Sequence, residues 1–320
     1  MIKDYTNRVK YLLMNYSVVI PVYRGEVTLP ELVDRLSKVL LGLGGEHEIL
    51  LVNDGSPDRS WDVILSLTQQ YPHVLGINLM KNYGQHNATL CGVMHAQQEI
   101  IVTMDDDLQH RPEDIPALIA KLNEGYDVVY GSPRRLPKGI IRNSLTLVTK
   151  TLLARVMSVP SVKNISAFRV FRASLRAAFN NFRSPSMTLD VLLSWGTNRF
   201  TSEIVDIDPS VLSSNYSFLT LAKAAILIVT GYSTAPLRAA SWLGFTMTVF
   251  GIGVFAYVLY TYLSAGSLPG FPFLASLISI FGGAQLFALG IFGEYMARMF
   301  DRIMDRPPFV VSEKVGGERL

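Results

Sequence analysis

The sequence of 320 residues contains one cysteine, Cys91, which excludes an internal disulfide framework. Cys91 lies in an apolar stretch, and this favours a core residue over a nucleophile. No sign of charge dominates, because 29 Lys and Arg against 26 Asp and Glu give a formal net charge of +3. With no long basic run, nucleic acid is not an expected partner. Residues 1–15 lack a sustained apolar core with a small-residue cleavage site, so no signal peptide is predicted.

The hydrophobic content is 49%, with a mean hydropathy of +0.27, and the excess lies in the last third of the chain. Two uncharged runs, Ala239–Ser264 and Phe271–Gly293, are joined by a turn rich in Gly and Pro. Each run can cross the roughly 30 Å of hydrocarbon in a bilayer, which predicts a hairpin of two transmembrane helices. The alternative is a pair of buried helices in a soluble core.

Arginines flank the hairpin only on its outer sides, at Arg238 and at Arg298, Arg302 and Arg306. Positively charged flanks stay in the cytoplasm, so both ends of the hairpin are predicted to be cytoplasmic. The predicted order is a cytoplasmic catalytic domain over 1–214, an interfacial amphipathic helix over 215–236, two transmembrane helices within 237–296 (about 238–264 and 271–294) and a cytoplasmic tail over 297–320.

Before residue 215, short β-branched runs alternate with segments of helical periodicity. The predicted strands are Tyr16–Val22, Glu48–Val52, Val74–Leu79, Ile100–Met104, Asp127–Gly131, Phe168–Phe171 and Phe200–Ile207. The predicted helices are Leu29–Leu43, Ser60–Gln70, Asn87–His95, Pro112–Asn123, Asn143–Ser158 and Ser186–Trp195. This alternation with short connections predicts an α/β fold with a mostly parallel, doubly wound, Rossmann-like sheet.

Polar residues follow four of the predicted strands, at the sheet edge where ligands of such folds bind. Tyr23 and Arg24 follow the first strand, and Asp54 follows the second. Residues 82–86 follow the third strand, and the carboxylates 105–107 follow the fourth. Neither a Gly-x-Gly-x-x-Gly pattern nor a Walker lysine motif is present, so a phosphorylated ligand would be held in another way.

The three carboxylates after the fourth strand are the strongest single signal for a site. Strand alternation would make Asp105 and Asp107 point the same way and Asp106 point away. Neighbouring carboxylates repel each other unless a cation lies between them, and hard oxygen ligands suit Mg²⁺ or Mn²⁺ shared with substrate phosphates. The alternative is an acidic turn, since Asp is common in turns.

Basic residues in a loop broken by Pro and Gly offer ligands for an anion. Arg134, Arg135 and Lys138 are the candidates for binding a lipid phosphate, against the alternative of a solvated surface loop. A metal and phosphate site on a domain held at a membrane favours a nucleotide-sugar donor and a lipid phosphate acceptor. Asp190 is a candidate base, but its place on a predicted helix favours a surface carboxylate.

Five segments carry a family resemblance: Val-Val-Ile-Pro-Val-Tyr (18–23), Val-Asn-Asp-Gly-Ser-Pro-Asp (52–58), Lys-Asn-Tyr-Gly-Gln-His (81–86), Asp-Asp-Asp-Leu-Gln (105–109) with Pro112, and Gly-Glu-Tyr-Met-Ala-Arg (293–298) with Arg306-Pro307. Together they resemble the family-two glycosyltransferases of the GT-A fold. More narrowly, they resemble the bacterial polyprenyl-phosphate glycosyltransferases, relatives of dolichol-phosphate mannose synthase that include undecaprenyl-phosphate glucosyltransferases and the aminoarabinose-type transferase. The resemblance covers nearly the whole chain.

The resemblance implies which residues bind the nucleotide sugar. Pro21, Tyr23 and Asp54 would line the nucleotide pocket, with Asp54 reaching the base. Asp105 would lie near the ribose and diphosphate, with Asp106 also on the donor side.

The resemblance also implies the metal ligands and the residues around the reacting bond. Asp107 would be the direct ligand of Mg²⁺ or Mn²⁺, with Asp105 as its partner in the Asp-x-Asp pair. Gln109 would face the donor sugar, and Arg169 would lie near the phosphates. Ser166 stands close before Arg169, where the family often has an acidic residue, so no general base is assigned.

The implied activity is an inverting transfer of a sugar, from a donor such as a UDP-sugar to undecaprenyl phosphate, in cell-envelope glycan synthesis or lipopolysaccharide modification. The implied location is the bacterial inner membrane, which the chain crosses more than once. A stripe of small residues, Gly282, Gly283, Ala284, Ala288 and Gly290, adds to the expectation of a homo-oligomer, with a tetramer favoured. The alternatives are a processive polysaccharide synthase and a non-catalytic membrane scaffold.

Overall fold

The computed structural model describes residues 14–133, 165–182, 188–206, 235–265 and 270–317. The chain divides into two compact units. One, here called the sheet unit, comprises residues 1–216 together with 306–320. The other, the hairpin unit, comprises residues 217–305. Each unit is described by itself.

The described strands of the sheet unit are β1 (Tyr16–Val22), β2 (His47–Asn53), β3 (Val74–Leu79), β4 (Ile100–Thr103), β5 (Val128–Pro133), β6 (Arg169–Arg172), β7 (Phe200–Val205) and β8 (Val311–Gly316). Its described α-helices are α1 (Leu29–Leu43), α2 (Ser60–Gln70), α3 (Gln85–His95), α4 (Ile115–Leu122) and α5 (Leu189–Gly196). Short 3-10 turns cover Pro112–Asp114 and Ala173–Ala178. The hairpin unit contains α6 (Ala235–Ala265) and α7 (Phe271–Ile303).

The strands form one sheet in the order β7-β5-β6-β4-β1-β2-β3-β8. Its centre, β4-β1-β2-β3, is parallel throughout, and β5 is parallel to β7. β6 is antiparallel to both β4 and β5, and β8 is antiparallel to β3. The predicted α/β class is confirmed, and the parallel centre brings the ends of β1 to β4 to one edge of the sheet.

The centre of the sheet is buried on both faces. Every residue of β1 and β4 is buried, which explains why their sequences are runs of apolar and β-branched residues without polar alternation. α1 adds residues at helical spacing to this core: Leu29, Leu32, Val33, Leu36 and Leu40. α3 approaches β1 so closely that a Cβ on Gly92 would lie 2.3 Å from Cγ1 of Val19.

The observed boundaries agree with the predicted ones to within three residues for each strand and helix predicted within the described part of the sheet unit. One difference affects the candidate site. β4 ends at Thr103, so the carboxylates of residues 105–107 lie in the following loop, where Leu108 has a φ of +58°. Strict alternation of side chains therefore does not apply to them.

The C-terminal segment, which was predicted as a tail over 297–320, contains a strand that the sequence did not predict. Val311–Gly316 forms β8 and extends the sheet by pairing with β3, from Leu75↔Gly316 to Leu79↔Val311. Local sequence does not indicate this strand, because the segment has little apolar alternation and most of its residues are exposed. Pairing with an available edge supplies the hydrogen bonds that stabilise it.

Several predicted features lie outside the described residues. They are the basic loop residues Arg134, Arg135 and Lys138, the helix Asn143–Ser158, and the interfacial segment 215–236 up to residue 234.

The hairpin unit contains two helices that are long and apolar enough to cross a membrane, with candidate spans at Pro236–Ser264 and Ile280–Ala297. None of the residues in their most apolar windows is buried. Core helices of a soluble protein would be mostly buried, so the described residues do not support that alternative.

One described contact between α6 and α7 is at Gly251, next to the ring pair of Phe250 and Phe281. A Cβ added there would lie 3.0 Å from Cζ of Phe281. In contrast, a Cβ added at Gly282, Gly283 or Gly290 would meet no described atom within 4 Å. The three glycines of the predicted small-residue stripe therefore do not take part in this contact, and the use of the stripe between subunits stays a prediction.

Candidate active site

Asp54 follows β2, and its carboxylate holds the loop that follows β3. It is 2% exposed and accepts hydrogen bonds from the backbone N–H groups of Tyr83 (2.7 Å) and Gly84 (2.9 Å). Burial raises the pKa of Asp54, although the two N–H donors lower it. Gly84 has a φ of +91°, which glycine adopts readily, and it directly precedes α3. Asp54 thus sets the start of α3, while its contact with a nucleotide base stays a prediction.

The loop after β1 is joined to the carboxylate loop through Asp106. The backbone N–H of Tyr23 donates to Oδ2 of Asp106 at 3.2 Å. A Cβ at Gly25 would lie 2.6 Å from the same oxygen, so the approach requires glycine. Burial, with the charges of the neighbouring Asp105 and Asp107, raises the pKa of Asp106 to about 7. The aromatic ring of Tyr23 is left exposed at this edge.

Asp105 and Asp107 are each held by an amide side chain. The side chain of Gln85, the first residue of α3, donates to Oδ1 of Asp105. Gln109 donates its backbone N–H to Oδ1 of Asp107 at 3.1 Å, and its side-chain amide donates to Oδ2. The two carboxylates are therefore oriented by the protein itself, because each amide restricts the rotation of its partner.

These two carboxylates fit a divalent cation. Burial, followed by the charge of Asp107, raises the pKa of Asp105 to about 6, and a bound cation would relieve this repulsion. Within the described residues, no group of three or more His, Cys, Asp or Glu side chains could hold a metal ion. The protein thus offers two oxygen donors and leaves other positions to phosphate oxygens and water, as is usual for Mg²⁺ at phosphate sites.

Arg169 lies at the start of β6 and is almost fully buried, at 3% exposure. Its Nε donates to Oγ1 of Thr103, the last residue of β4, at 3.0 Å. Its Nη1 donates to Oδ1 of Asp190, which also accepts the hydroxyl of Tyr130 at 2.9 Å. The prediction of Asp190 as a surface carboxylate is wrong, because it is 3% exposed and forms an ion pair.

A cavity of about 230 Å³ brings these groups together. Its lining includes Pro21, Asp105, Arg169, Asp190 and Ser166. The structure therefore places the predicted Pro21, Asp105 and Arg169 around one space. The predicted Tyr23 and Asp106 contact each other beside it, and Asp107 contacts Gln109.

Comparison with known proteins identifies the chain. A family model described as "Glycosyl transferase family 2" matches residues 17–178. A curated relative, the undecaprenyl-phosphate 4-deoxy-4-formamido-L-arabinose transferase of Shewanella sediminis (strain HAW-EB3), is 35% identical over 94% of this chain and 93% of its own length. The chain belongs to glycosyl transferase family 2.

Solved structures support the GT-A fold of this family-2 glycosyltransferase. Glucosyl-3-phosphoglycerate synthase from Mycobacterium tuberculosis is similar with a TM-score of 0.51 and 18% identity, over 72% of this chain and 82% of that one. The same enzyme in complex with Mn²⁺, UDP-glucose and phosphoglyceric acid gives a TM-score of 0.50 at 18% identity, over 68% of this chain and 78% of that one. At this identity the similarity concerns the fold alone.

Sequence reasoning assigned no role to Gln85 or Tyr130 of this glycosyltransferase site, and it placed Asp190 on the surface. One signal was available for Asp190, since Leu189 precedes it and Val191, Leu192 and Leu193 follow it. A short helix that is apolar on nearly every side is a buried helix, and a carboxylate within it needs a partner. Gln85 lies in the polar segment 82–86 that was predicted at this edge, whereas no local signal connects Tyr130 with the site.

Proposed function

We propose that this glycosyltransferase moves a sugar from a nucleotide-sugar donor, specifically a UDP-sugar, to a polyprenyl phosphate such as undecaprenyl phosphate. The observation that carries the proposal is the oriented pair Asp105 and Asp107 beside a cavity that also contains Arg169. The name of the Shewanella relative, which matches nearly the full chain, supports the lipid acceptor. The Mn²⁺ and UDP-glucose of the fold neighbour are consistent with the donor and the metal.

The nucleotide would bind at the loops after β1 and β2. Tyr23 offers an exposed ring for packing against a base or ribose, and Pro21 lines the neighbouring cavity. Asp106 holds the Tyr23 backbone, and Asp54 holds the loop at Tyr83. The pocket is therefore built from four strand ends. Hydrogen bonds join the loop after β4 to that after β1, and the loop after β2 to that after β3.

Asp107 and Asp105 would hold Mg²⁺ or Mn²⁺ together with the donor diphosphate. When bound, the ion neutralises negative charge on the leaving diphosphate. Gln85 and Gln109 keep the two carboxylates oriented before the substrate arrives, which lowers the cost of reorganisation during the reaction.

The acceptor phosphate is already an anion at neutral pH, so its oxygen can attack C1 of the sugar without a general base. The bond from C1 to the diphosphate oxygen breaks as the new bond forms, which inverts the anomeric carbon and releases the nucleoside diphosphate. Arg169, on the cavity wall, offers a positive charge to a phosphate there. Arg134, Arg135 and Lys138 remain the proposed ligands of the lipid phosphate.

We propose that the hairpin crosses the bacterial inner membrane with both ends in the cytoplasm. The arginine flanks support this orientation. The sheet unit contains residues before and after the hairpin, so both ends of the hairpin lead into one unit, as two crossings require. A homo-oligomer, with a tetramer favoured, stays part of the proposal.

The test is a screen of nucleotide sugars with a short-chain polyprenyl phosphate, read by mass spectrometry. The donor sugars include 4-deoxy-4-formamido-L-arabinose, named for the relative. One sugar added per lipid, only in the presence of a divalent ion, is the expected result. A ladder of products would favour a processive synthase. No product with any donor, and no binding of nucleotide by calorimetry, would favour a non-catalytic scaffold.

A further inference from the structure

A buried ion pair lies on the wall of the cavity next to the carboxylate loop. Arg169 and Asp190 are each 3% exposed, and they come from β6 and the first turn of α5. Both line the cavity that Asp105 also lines. The pair is therefore covered by protein on most sides and opens towards the proposed site of the donor.

Stability alone does not account for such a pair. Removing two charges from water costs several kcal/mol per ion, and apolar residues of similar volume are often as stable or more so. Packing between β6 and α5 does not require charges, because an apolar pair of similar volume in place of both Arg169 and Asp190 would fill the same space. A role in orienting the Arg169 guanidinium explains why the protein retains a buried pair of charges despite the cost of removing them from water.

The hydrogen bonds fix the orientation of the guanidinium group. Nε donates to Oγ1 of Thr103 at 3.0 Å, and Nη1 donates to Oδ1 of Asp190. The hydroxyl of Tyr130 donates to the same carboxylate oxygen at 2.9 Å, so that Asp190 is itself held. Burial raises the pKa of Tyr130 well above its usual value, so this hydroxyl stays a donor at neutral pH.

We infer that Asp190 is a positioning residue of the transfer reaction: with Tyr130, it fixes the Arg169 guanidinium at the cavity wall for contact with a phosphate group. The inference rests on the proposed function, because it assigns a phosphate to the space between Arg169 and Asp105. That phosphate belongs either to the donor diphosphate or to the lipid acceptor. The planar guanidinium suits both, since it binds phosphate through paired N–H groups.

The first variants are Asp190→Asn and Tyr130→Phe. Asp190→Asn keeps the shape of the side chain but removes the charge that orients Arg169, and we expect kcat to fall by about tenfold to a hundredfold. Because it also leaves a buried arginine without its counter-charge, it can impair folding. Tyr130→Phe keeps the ion pair and removes one hydroxyl, and we expect kcat to fall by about threefold to tenfold.

The matched control is Asp127→Asn. Asp127 is 7% exposed and accepts two hydrogen bonds from Arg199, both of 3.0 Å. It precedes β5 at the opposite edge of the sheet, away from Asp105. This variant also removes the charge of a buried carboxylate that pairs with an arginine, although the Arg199 side chain is 67% exposed. It should lower the melting temperature but leave kcat and both KM values unchanged.

A double-mutant cycle tests whether Asp190 acts through Arg169 or independently of it. If Asp190 acts through Arg169, adding Asp190→Asn to Arg169→Gln should lower kcat by less than twofold further. Multiplicative losses in the double variant would overturn the inference. Normal kinetics in Tyr130→Phe together with a loss in Asp190→Asn no greater than in the Asp127 control would also overturn it.

Two binding measurements distinguish the source of the phosphate. A weaker affinity of the variants for UDP with Mn²⁺, by calorimetry, assigns it to the donor. A raised KM for polyprenyl phosphate at unchanged UDP affinity assigns it to the acceptor. If no sugar is transferred by the wild type, the proposed function fails, and calorimetry with UDP and with a polyprenyl phosphate then decides. Equal affinities for both ligands in the wild type and Asp190→Asn overturn the inference. A wild type that binds no UDP would contradict both proposals.

Discussion

The sheet unit and the hairpin unit place their apolar side chains in opposite surroundings. In the sheet unit, every residue of β1 is buried between helices. In the hairpin unit, Trp242, Phe255 and Leu286 are 68%, 68% and 72% exposed, although these are among the most apolar segments of the chain. Hydrophobicity alone therefore does not define a core. One unit buries its own apolar surface, and the other leaves that surface free, as helices in contact with lipid do.

The two units also differ in how their polar groups find hydrogen-bond partners. The sheet unit buries ionisable groups with partners, such as Arg169 with Asp190. The described serine and threonine hydroxyls of α6 instead donate to the backbone of their own helix, as Thr248 does to Gly244 (2.9 Å) and Thr261 to Tyr257 (2.9 Å). A helix that satisfies its polar groups internally can lie in an apolar medium, while the buried charges belong to the unit that performs the chemistry.

The largest expected effect is confined to the sheet unit. Asp107→Ala removes a proposed metal ligand from a half-buried loop outside the core, so it should reduce turnover by about a thousandfold or more without changing the melting temperature. The measurement is sugar transfer to polyprenyl phosphate with and without chelation of divalent ions. Asp34→Ala, which removes a carboxylate paired with Lys38 on the surface of α1, is the control and should stay active. Full activity of Asp107→Ala under chelation would exclude the metal role.

Removing β8 tests how far the sheet unit depends on residues beyond the hairpin. A chain that ends at Arg306 loses the strand that pairs with β3 and exposes that edge. We expect the melting temperature to fall by about 5 °C or more, with aggregation visible by size-exclusion chromatography. Removing only residues 318–320, which lie beyond β8, should have no effect. An unchanged melting temperature in the longer truncation would show that β8 contributes nothing to stability.

Gly92→Ala tests packing in the sheet unit. The added methyl would lie 2.3 Å from Cγ1 of the buried Val19 in β1, which has no free space to move into. We expect a loss of about 1–3 kcal/mol in the free energy of unfolding. Gly42→Ala, in a helix where the new Cβ meets no described atom within 4 Å, should instead stabilise by up to about 1 kcal/mol. Denaturant titration of both variants measures the contrast.

The smallest effect is expected from the equivalent change in the hairpin unit, Gly251→Ala. Its methyl would lie 3.0 Å from Cζ of Phe281, a partly exposed ring that can shift. We expect the melting temperature in detergent to stay within about 2 °C of that of Gly253→Ala, whose methyl meets no described atom within 4 Å. A loss as large as that of Gly92→Ala would mean that the hairpin is packed as tightly as the sheet core.

The fold was largely predictable because periodicity and strand ends are local properties. Apolar spacing indicated α1, and the β-branched run indicated β1, with the observed boundaries. The location of the site was predictable because parallel strands bring Asp54 and Asp105 to one edge of the sheet. Asp190 was not assigned correctly, because Tyr130 and Arg169 lie 60 and 21 residues away from it and only the folded sheet brings them together. β8 was not predicted, because its strand conformation depends on pairing with β3 and not on a pattern in its own sequence.

The late position of β8 has a consequence for biosynthesis. The chain builds β1 to β7 first, then the whole hairpin, and only afterwards the strand that covers β3. During translation the edge of β3 therefore stays open until residues 311–316 have left the ribosome. The sheet unit cannot be completed before both apolar helices have been synthesised, so its final folding step follows their synthesis.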